Sequence, residues 1–197
     1  MASQAPRLFL ALPLPGGARE RLAGLRRELD SPALGARWIP AENLHCTLHF
    51  LGPTPAGLLK DLHHDLGACA HALRAFDTDL GGLGAFPSFD KPRTLWAGLR
   101  DPHGLLRGLF DETSRALARL PRLQPGRGDF IPHVTLARLR PDPAFQSGPL
   151  RALLPQWKAL GTLTVEKFVL YESRVDPRGA ESPRYEVVEE FRLQRRR

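Results

Sequence analysis

The order of the predicted elements indicates a chain that mixes helices and strands in two echoing halves, folded as two lobes around one cleft. The tetrapeptide H-x-T-L is written twice, at residues 45–48 and 133–136. In each half, a predicted helix precedes the strand that carries this motif. No linker rich in serine, glycine or proline divides the halves. Residues 1–197 are therefore predicted to form one domain with two intertwined lobes.

Leucines at helical spacing predict each helix, and alternation of apolar and polar residues between proline and glycine stops predicts each strand. In the first part of the chain, the predicted strands cover residues 7–12, 44–51, 76–87 and 93–99, and the predicted helices cover residues 18–29 and 57–73. In the second part, helices are predicted over residues 105–120 and within 149–157, and strands over residues 130–139, 163–173 and 184–193.

The composition is that of an ordinary globular protein, with 42% hydrophobic and 25% charged residues. The formal net charge of +7 comes mainly from arginine, because lysine occurs only at positions 60, 91, 158 and 167. Guanidinium groups pair bidentately with phosphate, so this excess fits a polyanionic partner such as nucleic acid. A proteome rich in arginine would give the same composition, and the charge alone does not separate the two interpretations.

The chain has two cysteines, Cys46 and Cys69, which are too few for a disulfide framework or a four-thiolate zinc site. The simplest interpretation is a reduced protein of the cytoplasm. The apolar run L-F-L-A-L-P-L-P near the start is short and interrupted by prolines. We therefore expect neither a cleaved signal nor a membrane span.

The two H-x-T-L segments each place a histidine and a threonine on one face of a strand, because side chains alternate along a strand. In the first copy His45, Thr47 and His49 share one face, and the apolar residues between them belong to the core. In the second copy His133 and Thr135 share a face.

Two imidazoles and two hydroxyls that meet across a cleft suit in-line displacement at a phosphorus atom. One neutral imidazole accepts a proton from the nucleophile, and a protonated one gives a proton to the departing oxygen. The threonine hydroxyls can donate hydrogen bonds to the phosphate oxygens as charge builds there. This chemistry requires no metal ion, and strand alternation does not tell which histidine is the acid.

On these motifs, the chain resembles the 2H phosphoesterase superfamily, and within it the bacterial and archaeal RNA 2′,3′-cyclic phosphodiesterases, also called 2′–5′ RNA ligases. R-L-F-L-A-L-P-L-P resembles the opening strand of that family, and W-I-P-A-E-N-L-H-C-T-L-H-F-L-G its first motif. G-A-F-P with L-W-A-G-L resembles its middle strands, F-I-P-H-V-T-L-A-R its second motif and F-V-L-Y-E-S its late strand. The resemblance implies a bilobal, pseudo-twofold α+β fold, with two antiparallel β-sheets lining a central cleft and helices outside.

By this resemblance His45 is the proton donor to the leaving oxygen, and His133 is the proton acceptor from water. Thr47 and Thr135 hold the phosphate oxygens, and Arg138 is a further phosphate contact. The implied activity is hydrolysis of RNA 2′,3′-cyclic phosphate ends or cyclic nucleotides to 2′-phosphomonoesters, without metal or cofactor. The reverse reaction would join RNA ends through a 2′–5′ bond.

Two further contacts depend on the path of the second motif strand. Arg138 has the opposite parity from His133, so it faces the cleft only if the strand bends or bulges near Ala137, or if it acts from a strand end. Phe130 is the aromatic residue singled out for stacking on a nucleobase, with core packing as the alternative. Further candidates are Phe9, Trp38, Phe86, Phe89 and Trp96 for stacking, and Arg7, Arg37, Arg93 and Arg127 for the RNA backbone.

Other functions remain open at this point. His45 and His49 are four residues apart, as in a helical zinc motif, but their segment alternates like a strand and lacks the glutamate of H-E-x-x-H, so no metal site is predicted. Within the family, another small cyclic phosphate or 2′–5′ oligoadenylate is an alternative substrate. A non-catalytic protein that binds RNA or a nucleotide is the other class. The absence of heptads predicts a monomer.

Overall fold

A computed structural model of the chain describes residues 5–30, 34–120, 123, 129–142, 145–174 and 183–195. The strands in these residues are β1 (Arg7–Pro13), β2 (Ala36–Trp38), β3 (His45–Pro53), β4 (Phe76–Phe86), β5 (Thr94–Arg100), β6 (His133–Leu139), β7 (Thr162–Val165), β8 (Lys167–Arg174) and β9 (Arg184–Arg192). The α-helices are α1 (Gly16–Leu29), α2 (Leu59–Ala72), α3 (Leu105–Ala118) and α4 (Gly148–Ala152), and 3₁₀ turns lie at Ala41–Asn43 and Ala56–Leu58. The predicted long helices and both motif strands are confirmed to within a few residues.

The strands form one sheet in the order β7-β4-β5-β6-β3-β1-β8-β9, with β2 beside β6, and neighbouring strands are antiparallel. The two motif strands, β3 and β6, lie at its centre. They are joined by a single Cα pair, Cys46 with Val134. The α+β fold with antiparallel sheets is confirmed, and the two expected sheets meet at this pair.

Two details of the strands differ from the sequence prediction. Residues 163–173 form two strands, because the chain passes at Glu166 from one half of the sheet to the other. β7 pairs with β4 in one half, whereas β8 pairs with β1 in the other half. The strand β2 was not predicted, since three residues are too few to show an alternation.

The helices bury leucine-rich faces, and α2 packs against α3 and β9. The buried residues of these two helices are Leu62, Leu66, Ala70, Leu106, Leu109, Thr113, Ala116 and Leu117. Complete burial of a leucine side chain is worth roughly 1.5–3 kcal/mol, so these faces attach the helices firmly to the sheet. Within the described residues, no helix has the length and apolar character needed to cross a bilayer.

Candidate active site

The motif residues come together where β3 and β6 are paired. The antiparallel register that sets Cys46 opposite Val134 places His45 opposite Thr135 and Thr47 opposite His133. Directly opposite residues share a face of the sheet and lie about 4.5–5.5 Å apart at Cβ. The side chains between them, Cys46 and Val134, are completely buried on the other face. All four motif side chains therefore lie on one face of the sheet, at its centre.

The first motif strand contains a β-bulge directly after its threonine. On β1, Ala11 pairs with Thr47 and the preceding residue Leu10 pairs with His49, so Leu48 is an extra residue. A bulge shifts the alternation by one position for the residues directly after it, here His49 and Phe50. Phe50 consequently faces the cleft and is 64% exposed.

The second motif strand has the same bulge at the same motif position. On β5, Trp96 pairs with Thr135 and Leu95 pairs with Ala137, so Leu136 is the extra residue. The side chain of Arg138 is thereby returned to the face of the motif residues, and it lines the cleft. The parity conflict seen in the sequence is resolved by a bulge beside Ala137, which was one of the two predicted solutions.

The bulge in β3 overturns the predicted orientations of two residues. His49 does not face the cleft, because it lies beyond the extra residue Leu48; it is 4% exposed on the core side. Its Nε2 lies 2.9 Å from the hydroxyl of Thr113, and its ring stacks on Phe110 at 4.5 Å. Phe50, which the simple alternation assigned to the core, lies in the cleft instead. The contact of His49 with α3 also shows that this helix covers the face opposite the cleft.

Both motif histidines are anchored by their Nδ1 atoms. Nδ1 of His45 lies 2.7 Å from the carbonyl oxygen of Asn43, and Nδ1 of His133 lies 2.7 Å from that of Ile131. A carbonyl can only accept a hydrogen bond, so Nδ1 carries the proton in each neutral ring. Nε2 is then left without a proton in each neutral ring, so it can accept a proton, and it can donate one only when the ring is protonated.

The pKa of His45 is lower than its ordinary value of 6.5. Burial is the main cause, since it disfavours the charged ring, and the positive charge of His133 acts in the same direction. The hydrogen bond to the carbonyl of Asn43 opposes both. The two imidazoles are thus close enough to influence one another, and a proton on one disfavours a proton on the other.

Aromatic side chains hold each imidazole in place. The ring of His45 lies 5.0 Å from Phe9 and 5.2 Å from Tyr185 between centroids, the latter edge-on. The ring of His133 lies edge-on to Phe86 at 5.1 Å and is 5.9 Å from Trp96. These contacts are favourable aromatic geometries, so they restrict the rotation of both rings.

A cleft of about 330 Å³ extends from the motif residues over the half of the sheet that contains β1. No carboxylate is found among the described residues that line it. These are Arg7, Leu8, Phe9, Ile39, Asn43, His45, Thr47, Phe50, Gly52, Thr135, Arg138, Ser173, Pro183 and Tyr185. His133 stands beside this lining rather than in it. A second cavity, of about 360 Å³, lies near the start of α1 and contains neither motif histidine, so the chemistry and not the size marks the candidate site.

Phe130 does not lie in the cleft, so its candidate role in base stacking is not supported. Its ring stacks on Phe110 at 4.4 Å with an angle of 10°, and it packs against the core. Phe130 therefore packs against the core, which was the predicted alternative to stacking on a base. Of the other candidates for the RNA backbone, Arg7 lines the cleft, Arg37 and Arg93 are not part of its lining, and Arg127 lies outside the described residues.

Sequence reasoning missed two aromatic residues of the cleft, Phe50 and Tyr185. Phe50 holds the same position in the first motif as Arg138 holds in the second, five residues after the histidine. This equivalence was the signal that could have found it. Tyr185 comes from the distant strand β9, and no local pattern marks it. No group of three or more potential metal ligands is found in the part of the chain that the structure describes.

The family assignment rests on the length of the sequence match. A model of the 2′–5′ RNA ligase superfamily matches residues 14–177, which is most of the chain and includes both motifs. The chain belongs to this superfamily.

Relatives of this superfamily member agree in sequence and in fold. The RNA 2′,3′-cyclic phosphodiesterase of Aquifex aeolicus is 30% identical over 171 residues, which are 86% of this chain and 87% of that protein. The structure of TT0787 from Thermus thermophilus superposes with a TM-score of 0.79 at 30% identity, over 97% of this chain and 100% of that one. The structure of E. coli LigT complexed with 3′-AMP has a TM-score of 0.73 at 27% identity, over 97% and 99% of the two chains.

Proposed function

We propose that this protein hydrolyses RNA 2′,3′-cyclic phosphate ends to 2′-phosphomonoesters, by acid–base catalysis with two histidines and without a metal ion. One observation carries the proposal: both His–Thr pairs lie on one face of the sheet where β3 meets β6. The names of the relatives support the substrate class, since they are RNA 2′,3′-cyclic phosphodiesterases. The complex of LigT with 3′-AMP supports a ligand that contains a nucleotide.

In the proposed reaction, water attacks the phosphorus atom and the bond from phosphorus to O3′ breaks. Nε2 of His133 accepts the proton of the water, and Nε2 of His45 donates a proton to O3′. The product carries a phosphate on O2′ and a hydroxyl on O3′. The assignment of donor and acceptor follows the family resemblance, because the two rings have the same anchoring. The lowered pKa of His45 disfavours a proton on that ring in the free protein, so its role as donor rests on the resemblance and not on its pKa.

The remaining polar groups suit the phosphate. The hydroxyls of Thr47 and Thr135 stand beside the imidazoles and can donate to the non-bridging oxygens, and the guanidinium of Arg138 adds a positive charge. Donors that are fixed in position stabilise the charge that develops in the transition state, typically by about 10²–10³ in rate for each donor. Both hydroxyls are held on strands, which keeps them in place before substrate arrives.

The nucleoside fits the aromatic part of the cleft. Phe9 and Phe50 lie 6.2 Å apart, and Tyr185 is edge-on to Phe9 at 5.0 Å. A volume of about 330 Å³ lies at the lower end of the range of small-ligand pockets, roughly 300–1,000 Å³. We assign the base to the exposed ring of Phe50, where stacking contributes about 1–3 kcal/mol. A 5′-hydroxyl of a second RNA in place of the water would give a 2′–5′ linkage.

The test is a single-turnover assay on 2′,3′-cyclic AMP and on a short RNA with a cyclic phosphate end, with EDTA present throughout. The unchanged protein is expected to convert both substrates, and 2′,3′-cyclic AMP to 2′-AMP. His45→Ala and His133→Ala are each expected to reduce the rate by about 10²–10⁴, the contribution of a positioned acid or base. His103→Ala, an exposed histidine outside the cleft, serves as the matched control and should keep the full rate.

Four results would contradict the proposal. Loss of activity on addition of EDTA would show that a metal ion takes part. Formation of 3′-AMP would show that the other phosphorus–oxygen bond breaks. Tight binding of both substrates without turnover would favour the non-catalytic alternative, and turnover of 2′–5′ oligoadenylate alone would favour the alternative substrate.

A further inference from the structure

Two arginines stand side by side at one end of the cleft. On the strand pair β2–β6, Arg37 is the direct partner of Arg138. Directly opposite residues of an antiparallel pair project to the same face of the sheet. Since Arg138 lines the cleft, the exposed side chain of Arg37 also emerges on the cleft side of the sheet.

No acidic partner of either guanidinium group is found among the described residues. Among the residues that the structure describes, neither Arg37 nor Arg138 forms an ion pair, and the described cleft lining contains no carboxylate. Like charges directly opposite one another destabilise a sheet. An arrangement of this kind is relieved when an anion binds between or beside the two groups, because arginine pairs strongly with phosphate.

The positive charges of Arg37 and Arg138 both act on Tyr185, a residue that lines the cleft. Burial raises the pKa of Tyr185, and the charges of Arg138 and Arg37 both act against that rise. Tyr185 in turn contacts the ring of His45. Arg37 therefore belongs to the electrostatic surroundings of the reaction centre, although it comes from a strand of only three residues.

Arg37 lies outside the lining of the cleft that holds the motif residues, whereas Arg138 is part of that lining. Arg37 stands on the neighbouring strand β2, roughly 4.8 Å beyond Arg138 in the direction across the sheet. A cyclic mononucleotide carries one phosphate, and under the proposed function the motif residues and Arg138 bind it. A second positive charge beyond Arg138 can pair with a further phosphate, which a longer RNA chain supplies.

We infer that Arg37 binds the phosphodiester on the 5′ side of the terminal nucleotide, and that it makes the enzyme prefer RNA ends over cyclic mononucleotides. The inference rests on the proposed function. Arg37 touches neither the reacting atoms nor the base in this arrangement, so it determines specificity through the length of the substrate chain.

The experiment compares kcat/KM for 2′,3′-cyclic AMP and for the RNA dinucleotide ApA with a 2′,3′-cyclic phosphate end. Arg37→Gln is expected to lower the ratio of dinucleotide to mononucleotide kcat/KM by about 10- to 100-fold, the usual worth of a charge-assisted hydrogen bond. Arg37→Lys should give a ratio between those of Arg37→Gln and the unchanged protein, since lysine keeps the positive charge but lacks the bidentate donors of the guanidinium group. A dinucleotide with an uncharged methylphosphonate linkage provides the decisive comparison. For the unchanged protein, kcat/KM should be lower on the methylphosphonate dinucleotide than on the normal one by the same 10- to 100-fold. For Arg37→Gln, the two dinucleotides should give the same kcat/KM.

Arg119→Gln is the matched control, since Arg119 is an exposed arginine at the end of α3, on the other face of the sheet. Arg119→Gln should give the same ratio of dinucleotide to mononucleotide kcat/KM as the unchanged protein. All variants should unfold at the same midpoint as the unchanged protein. An equal loss on both substrates would overturn the inference, because Arg37 would then serve the reacting phosphate or the fold. An unchanged ratio would overturn it as well. Failure of the unchanged protein to turn over either substrate would instead refute the proposed function, and the inference with it.

Discussion

At the scale of single residues, the two imidazoles of the candidate site are electrostatically coupled. Burial and the charge of His133 both lower the pKa of His45. Removal of that charge by His133→Asn is therefore expected to raise the pKa of His45, because the protonated ring no longer meets a positive neighbour. The measurement is a titration of the His45 ring protons by NMR. A pKa of His45 that stays constant or falls in the variant would show that the rings are too far apart to share one phosphorus atom.

His49 provides a second residue-scale prediction, since burial lowers its pKa to about 4. Between pH 6.5 and 4 the unfolded chain binds a proton that the folded protein does not, so stability is complete above pH 6.5 and falls as the pH decreases. At about 1.4 kcal/mol for each pH unit, this single residue lowers the free energy of unfolding by roughly 3 kcal/mol at pH 4. His49→Gln removes this contribution.

Urea unfolding at pH 7 and pH 4 measures the effect of His49. The loss of stability between the two pH values should be roughly 3 kcal/mol smaller in His49→Gln than in the unchanged protein. His103→Gln, which replaces an exposed histidine, should show the loss of the unchanged protein. Equal losses in all three proteins would mean that His49 is accessible to protons in the folded state.

At the scale of elements, the alternation along a single strand correctly predicted which face of the sheet the four motif side chains lie on. It gave the wrong face for the residues just beyond the motif of β3. His45 and Thr47 are two residues apart, so alternation places them correctly together. The bulge at Leu48 is a property of the pair β1–β3, not of β3, and one strand alone does not reveal the register of its neighbour. For Arg138 the two predictions disagreed, because alternation placed its side chain away from the cleft and the resemblance implied a phosphate contact in the cleft. Phe50 raised no such conflict, because an apolar residue is always acceptable in a core.

The strand pair β4–β5 supports the second histidine through a glycine. Gly84 is the direct partner of Trp96, whose indole lies over it and leaves no room for a Cβ atom. Gly84→Ala is therefore expected to displace the indole, which neighbours His133. We expect a destabilisation of about 1–3 kcal/mol from overpacking. A displacement of the ring by about 1 Å would lower kcat up to 100-fold.

Thermal unfolding together with kcat on 2′,3′-cyclic AMP measures the effect of Gly84→Ala. Gly67→Ala in α2 is the matched control, since a Cβ there meets nothing within 4 Å. It should raise stability by roughly 0.5–1 kcal/mol through helix propensity and leave kcat unchanged. Full activity in Gly84→Ala would show that the position of Trp96 does not matter to His133.

At the scale of the whole molecule, the sequence shows the duplication but not the exchange of strands between its halves. β4 follows the first motif along the chain yet pairs beside β5, whereas β8 and β9 follow the second motif and return to β1. The half-sheet that holds His45 therefore takes Tyr185 from the end of the chain. Pairings over such distances depend on the assembled sheet, so no local pattern predicted the chain crossing at Glu166. Each half of the sheet thus contains strands from both parts of the chain, and the single domain of two intertwined lobes stays a prediction.

The charge of the whole molecule leads to a prediction about salt. A net charge of +7 and a cleft whose described lining has arginines but no carboxylate attract a polyanion. For single-stranded nucleic acid, the logarithm of affinity falls with the logarithm of salt concentration with a slope of about −0.7 for each phosphate contacted. Two contacts should lower kcat/KM for a dinucleotide about 25-fold between 0.05 and 0.5 M KCl, and one contact should lower it about fivefold for 2′,3′-cyclic AMP. Equal slopes for the two substrates would mean that the arginines outside the reaction centre make no contact with RNA.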